Sequence, residues 1–251
     1  MGGLPHYEYG HIPARVAVIL YPEDDGQPMA ENSLQFQWIV TIKEGLDALF
    51  RNDPDVFVAG DMLWYPVEGE PKIRIAPDAM VVFGRPKGHR GSYRQWEEAG
   101  IAPQVVFEVL SPGNRYGELI RKYEFYKHYG VEEIYFYDPD RGTLEGWRRS
   151  EEGLIEIAEI SGYSSPRLGI RFEPGDGPDS LKIIGPDGRP FATYMELFEE
   201  REAERQRALA ERQRALAESH RASAEAARAD AEHERAERLA AKLRELGIQP
   251  E

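Results

Sequence analysis

The chain has 251 residues, enough to bury a sizeable core, with 41% apolar residues, no cysteine and a formal net charge of −14. The lack of cysteine excludes disulfides and thiolate metal or redox chemistry, and the acidity argues against a protein that coats nucleic acid through a broadly basic surface. The opening MGGLPHYEYGH shows no basic stretch followed by an apolar core, and no apolar run nears the roughly 20 residues that span a bilayer, so a cytoplasmic protein is expected.

Residues 1–31 are rich in Pro, Gly and Asp and are expected to form an irregular lead-in. Leu34, Trp38, Ile42, Leu46 and Leu49 then recur at helical spacing, predicting a helix from Ser33, its candidate N-cap, to about Phe50, with Pro54 closing the far end. Strand-like runs follow at Val56–Ala59, Met62–Tyr65, Ile73–Phe83 and Gln104–Leu110. After the Ser-Pro-Gly turn at 111–113 a helix is expected over Tyr116–Tyr129, ended by Gly130. Glu133–Asp138 is the next strand, and a tight turn at 138–142 leads to alternating strands at Thr143–Arg148, Leu154–Ile160 and Leu168–Phe172. This order predicts an α/β domain over 32–194, a mixed sheet with helices packed against it.

Residues 195–251 differ in kind. Met195–Leu246 has no Gly or Pro and is dominated by Ala, Glu and Arg, strong helix formers. AERQRAL occurs in tandem at 203–209 and 210–216, a heptad period, but Leu209 and Leu216 are followed in register by Ser223 and Asp230. A long helical extension is expected, either solitary or, through a weak coiled-coil seam, self-associating as a homodimer. It carries only −3 of the net charge, leaving −11 on the first 194 residues, so any DNA contact must be a local basic patch. The loop RPKGHRGSYR supplies one candidate in Arg85, Lys87, His89, Arg90 and Arg94; a solvated surface loop is the plain alternative.

The chemistry-bearing candidates are Asp78 and Glu108, each inside an apolar run (IAPDAMVVF and APQVVFEVLSP). Carboxylates are rarely buried unless paired, and two of them in successive core strands call for a partner such as a divalent cation. A hairpin turn near Gly69–Glu70 would pair Tyr65 with Arg74, Leu63 with Ala76 and Asp61 with Asp78, bringing in a third carboxylate; a slip of one residue would send Asp61 to the other face as a surface aspartate. On the helix, Lys122 falls within the inward arc formed by Leu119, Tyr123, Phe125, Tyr126 and Tyr129, with Arg121, Glu124 and His128 opposite. Its partner is either Glu118 one turn earlier or, the favoured reading, the acidic site on the strands. Such a set suits Mg²⁺, with Mn²⁺ as a substitute: Asp78 and Glu108, with the carbonyl of Val109 or Leu110, would hold the ion, and Lys122 would orient water or stabilise developing charge. The six histidines show no metal-ligand spacing, and Ser111 is expected to cap a helix rather than act as a nucleophile.

PDAMVVF, VVFEVLSPGNR and RKYEFYKHYGVEEIYFYDPD together resemble the bacterial restriction-endonuclease family within the PD-(D/E)XK nuclease superfamily, over about residues 30–175. The resemblance implies a restriction-endonuclease-like core with Mg²⁺-dependent cleavage of DNA, Asp78 as the motif aspartate and Glu108 as its acidic partner. The usual lysine position is occupied by Leu110, and the resemblance implies that Lys122 has taken over that role. The expected DNA contacts are Arg85, Lys87, Arg90 and Arg115. The competing expectation is a catalytically inactive nuclease-fold module that binds DNA or a protein; a hydrolase of another phosphoester comes third.

Overall fold

Runs of valine and aromatic residues bounded by Pro, Gly and Asp become strands because β-branched and aromatic side chains fit a pleated, buried surface. A computed structural model describes residues 19–24, 26, 29–113 and 116–245. The chain divides into two units, Met1–Ala192 and Thr193–Glu251. The first runs α1 (Ser33–Leu49), β1 (Val56–Ala59), β2 (Trp64–Tyr65), β3 (Ala79–Phe83), β4 (Tyr93–Arg94), β5 (Val105–Val109), α2 (Tyr116–Tyr129), β6 (Glu133–Asp138), β7 (Thr143–Ser150), β8 (Gly153–Glu156), β9 (Arg171–Glu173) and β10 (Lys182–Ile184). The second unit is one helix, α3 (Tyr194–Glu245). The expected lead-in lies largely outside the described residues; those described before Ser33 form no helix or strand.

Six strands form one mixed sheet in the order β1-β3-β5-β6-β7-β8. Within this sheet, among the described residues, only β5 and β6 pair in parallel, and α2 is the crossover that such a pair requires. Alternation along the strands splits the core between the two faces. On one face Val58, Val81, Phe107 and Tyr135 pack with Trp38, Ile42 and Leu46 of α1 and with Ile170, Phe172 and Ile183 around the β9–β10 pair. On the other, Phe57, Met80, Val106 and Phe136 pack with Tyr126 of α2, Trp64 and Tyr93. Gly45 in α1 permits a close approach: a Cβ there would lie 2.2 Å from the Phe191 ring.

Differences from the sequence reading are local. Asn32, not Ser33, caps α1, its side chain accepting from the Gln35 N–H. Ile73–Pro77 is not a strand; one antiparallel bridge, Trp64 to Ile75, holds it, because β2 turns instead to pair in parallel with β4. That bridge is in the expected register. Gly130, with φ +93°, ends α2 as anticipated, the conformation a side chain would resist.

In α3, Thr193 and Glu196 cap the helix reciprocally: the Thr193 N–H donates to Glu196 at 2.7 Å and the Glu196 N–H to the Thr193 hydroxyl at 3.2 Å. No described α3 residue is buried, and Leu209 and Leu216 stand exposed. No helix among the described residues is long and apolar enough to cross a membrane.

Candidate active site

Asp78 immediately precedes β3, and Glu108 is the fourth residue of β5. The β3–β5 register pairs Ala79 with Phe107, so continuing it by one residue sets Asp78 opposite Glu108 on the face that α2 covers. Both are buried, Glu108 to 1% exposure and Asp78 to 8%. Like charges placed directly across two strands repel, and the arrangement persists only with compensation.

Much of that compensation comes from α2. Lys122 Nζ lies 2.6 Å from Glu108 Oε2, and the Tyr126 hydroxyl donates to Glu108 Oε1. The ion-pair partner of Lys122 is thus the strand carboxylate, not Glu118. Asp78 Oδ2 accepts the Val109 N–H at 2.6 Å. Burial drives the Asp78 carboxyl well above its ordinary pKa and Glu108 pushes the same way, against the pull of Lys122 and the Val109 N–H. Burial would lower the Lys122 ammonium, but the Glu108 and Asp78 carboxylates outweigh it and raise the pKa, so Lys122 stays charged. The Tyr126 hydroxyl is raised by burial and by Glu108, and remains a donor.

The site opens on a cavity of about 610 Å³ at this end of the sheet. Asp61, Asp78 and Lys122 line it, as do Gln35 of α1 and Glu31 of the lead-in. Asp61 does not extend the expected strand pairing: it lies in a bend with φ +47°, and its N–H donates to the Pro77 carbonyl at 3.1 Å and more weakly to that of Asp78 at 3.4 Å, which still brings it beside Asp78. Two contributors escaped the sequence reading. The buried Gln35 donates its Nε2 to the Val109 carbonyl at 2.7 Å, and Glu31 accepts from the Ser111 hydroxyl. Asn32 at the cap of α1, followed three residues later by Gln35, was the available signal for that end of the helix.

Among the described residues no group of three or more His, Cys, Asp or Glu side chains stands ready to hold a metal ion. The donor chemistry nonetheless fits Mg²⁺, a hard ion that takes one or two carboxylates and keeps several waters. Asp78 is a buried acid with a second carboxylate opposite, and a third, Asp61, also lines the cavity, so a divalent cation would supply counter-charge there. Asp78 and Glu108 would hold it, with Lys122 giving up part of its claim on Glu108.

The basic loop lies elsewhere. It follows β3, whose five residues span about 17 Å at a strand's rise, and is anchored at the far end by Arg85 N–H to the Asp55 carbonyl and Lys87 N–H to the Pro54 carbonyl. Arg85 and Arg90 both close on Glu98, at 2.7 and 2.5 Å, and Arg90 also covers the Phe57 ring at 4.0 Å. Lys87 is exposed. Arg115 lies outside the described residues.

Comparison with curated proteins gives no match. Among solved structures the chain is similar to one titled as a putative nuclease belonging to DUF820 from Anabaena variabilis, at 14% identity over 55% of this chain and 75% of that one, with a TM-score of 0.42. The family model named Uma2 and described as "Putative restriction endonuclease" matches residues 25–173. That match covers more than half of the chain and spans Asp61, Asp78, Glu108 and Lys122, and the chain belongs to this family.

Proposed function

We propose that the chain is a Mg²⁺-dependent endonuclease that hydrolyses phosphodiester bonds in DNA. Family membership supports a nuclease in general. The observation that carries the finer reading is the convergence of Asp78, Glu108 and Lys122 from two strands and a helix, with Asp78 and Lys122 lining an open cavity and Glu108 buried behind them in contact with Lys122. A bound ion supplies Lewis acidity, neutralising phosphate charge and lowering the pKa of water. Asp78 and Glu108 would hold it, and Asp61, which also lines the cavity, would add negative charge there. Lys122, kept protonated by its carboxylate neighbours, acts as a fixed cation for charge developing on the phosphate, not as a general base. Tyr126 donates to one Glu108 oxygen and so fixes the carboxylate's rotamer.

A second reading, a nuclease-fold module that binds DNA or protein without cleaving, is favoured by one specific observation. Lys122 already satisfies Glu108 at 2.6 Å, so the site closes without an ion. In either reading α3 is the self-association element, through Leu209 and Leu216. A segment of DNA reaching the far end of the sheet would meet Lys87 there, while Arg85 and Arg90 would have to exchange Glu98 for phosphate. Plasmid nicking separates the two readings. Wild type is expected to cleave in Mg²⁺, and Asp78→Ala or Glu108→Ala to lose about 10³-fold or more with circular dichroism unchanged. Cleavage that survives both substitutions contradicts the proposal.

A further inference from the structure

The cavity that exposes Asp78 has a second property that neither the family nor the acidic pair implies. Lys72 and Arg74, from the segment leading into β3, and Arg121, from α2, line its walls. None of the three takes part in an ion pair among the described residues, whereas Arg85 and Arg90 of the basic loop are both held by Glu98. Arg74 is steered by its neighbour, Nη1 donating to the Tyr65 hydroxyl at 3.4 Å. Lys72 and Arg121 are exposed. In a unit that carries −11 of the chain's net charge, these three cations, without ion-pair partners among the described residues, bring the lining of this opening with Lys122 to four cations against the four carboxylates Glu31, Asp61, Asp78 and Glu118.

A phosphodiester approaching Asp78 and Asp61 meets repulsion, and Glu118, which also lines the cavity, adds to it. Binding there needs cations placed beside the carboxylates and free to change partner. Arg and Lys supply such contacts to a nucleic-acid backbone without reading its sequence.

Resting on the nuclease reading, we propose that Lys72, Arg74 and Arg121 form the phosphate-contacting rim of this cavity and hold a DNA backbone with one phosphodiester over Asp78. The substrate strand is thus engaged at the Asp78 end of the sheet, with the Arg85–Arg90 loop remote from the cleavage point.

Fluorescence anisotropy of a labelled DNA duplex in EDTA, over a series of salt concentrations, tests this without any cleavage. Each lost phosphate contact lowers the slope of log K against log salt by about 0.9, so Lys72→Ala/Arg121→Ala is expected to flatten it by about 1.8. Adding Arg74→Gln, which keeps a donor toward Tyr65, is expected to take the total to about 2.7. The exposed pair alone keeps the test valid if the Arg74 variant folds poorly. An unchanged slope in the double variant overturns the rim, as does flattening by Lys87→Ala but not by the rim variants, or no measurable DNA binding by wild type at low salt. Failure of the nuclease reading looks different: wild type binds with the full slope but does not nick plasmid in Mg²⁺.

Discussion

Two glutamates are buried in adjacent strands of the central sheet, on opposite faces, and their surroundings differ. Glu133, 3% exposed, accepts from the Tyr135 hydroxyl at 2.9 Å, the Ser165 hydroxyl and the Arg167 N–H at 2.9 Å. Every donor is neutral, and the bonds tie β6 to the Ser165–Arg167 turn. Glu108, 1% exposed, receives a tyrosine hydroxyl and an ammonium and faces Asp78 across the strands, and Asp78 and Lys122 in turn line a cavity. Burial of a carboxylate is therefore no signal of function by itself. A second carboxylate opposite it, a cation that could change partner and an opening are what set Glu108 apart.

The comparison predicts different responses to substitution. The largest stability loss is expected from Glu133→Ala, which strands two buried hydroxyl donors at about 1–3 kcal/mol each and the part-buried Arg167 N–H, for a total of more than about 3 kcal/mol in urea unfolding. Mg²⁺ should not restore it; recovery on adding Mg²⁺ would erase the distinction between the two sites. Lys122→Ala leaves Glu108 and Asp78 opposed without their cation and is expected to cost about 3 kcal/mol. Here Mg²⁺ should restore part of the loss, since a ligand that binds only the folded state stabilises it by mass action. A melting temperature indifferent to Mg²⁺ in this variant would show that the carboxylates make no ion site.

The smallest effect is a gain. Burial and Glu108 raise the Asp78 carboxyl well above 3.8, so between that value and its folded pKa the native state binds more protons than the unfolded chain. Wild-type stability is thus drained as pH climbs through this window. Asp78→Asn removes the cost while keeping an acceptor for the Val109 N–H, and is expected to stabilise the fold by about 1 kcal/mol near neutrality. The difference in melting temperature from wild type should shrink toward pH 4. A variant less stable than wild type at pH 8 would mean that the ionised carboxylate is well compensated.

Periodicity carried much of this into view from the sequence. The alternation that sends Val106 and Glu108 to one face of β5, and Met80 and Asp78 to the same face of β3, is a period-2 pattern; the inward arc of α2 that contains Lys122 is a period-3.6 pattern. The bounds of α2 and β6 and the register of Trp64 against Ile75 follow from such local rules. What stayed hidden depends on tertiary approach. Glu98 reaches back to neutralise Arg85 and Arg90 only because the segment folds over Phe57, and Glu31 and Gln35 meet the end of β5 only because α1 crosses the other face. Glu133 stood at the edge of an expected strand, but nothing near it in sequence announced Ser165 or Arg167 as donors.

The most direct test of the central claim, that Asp78 and Glu108 make a divalent-ion site, is calorimetric titration of Mg²⁺ and Mn²⁺ into wild type and into Asp78→Asn. Saturable binding by wild type that is lost in the variant is the predicted result. Equal binding by both, or none by wild type, would contradict it.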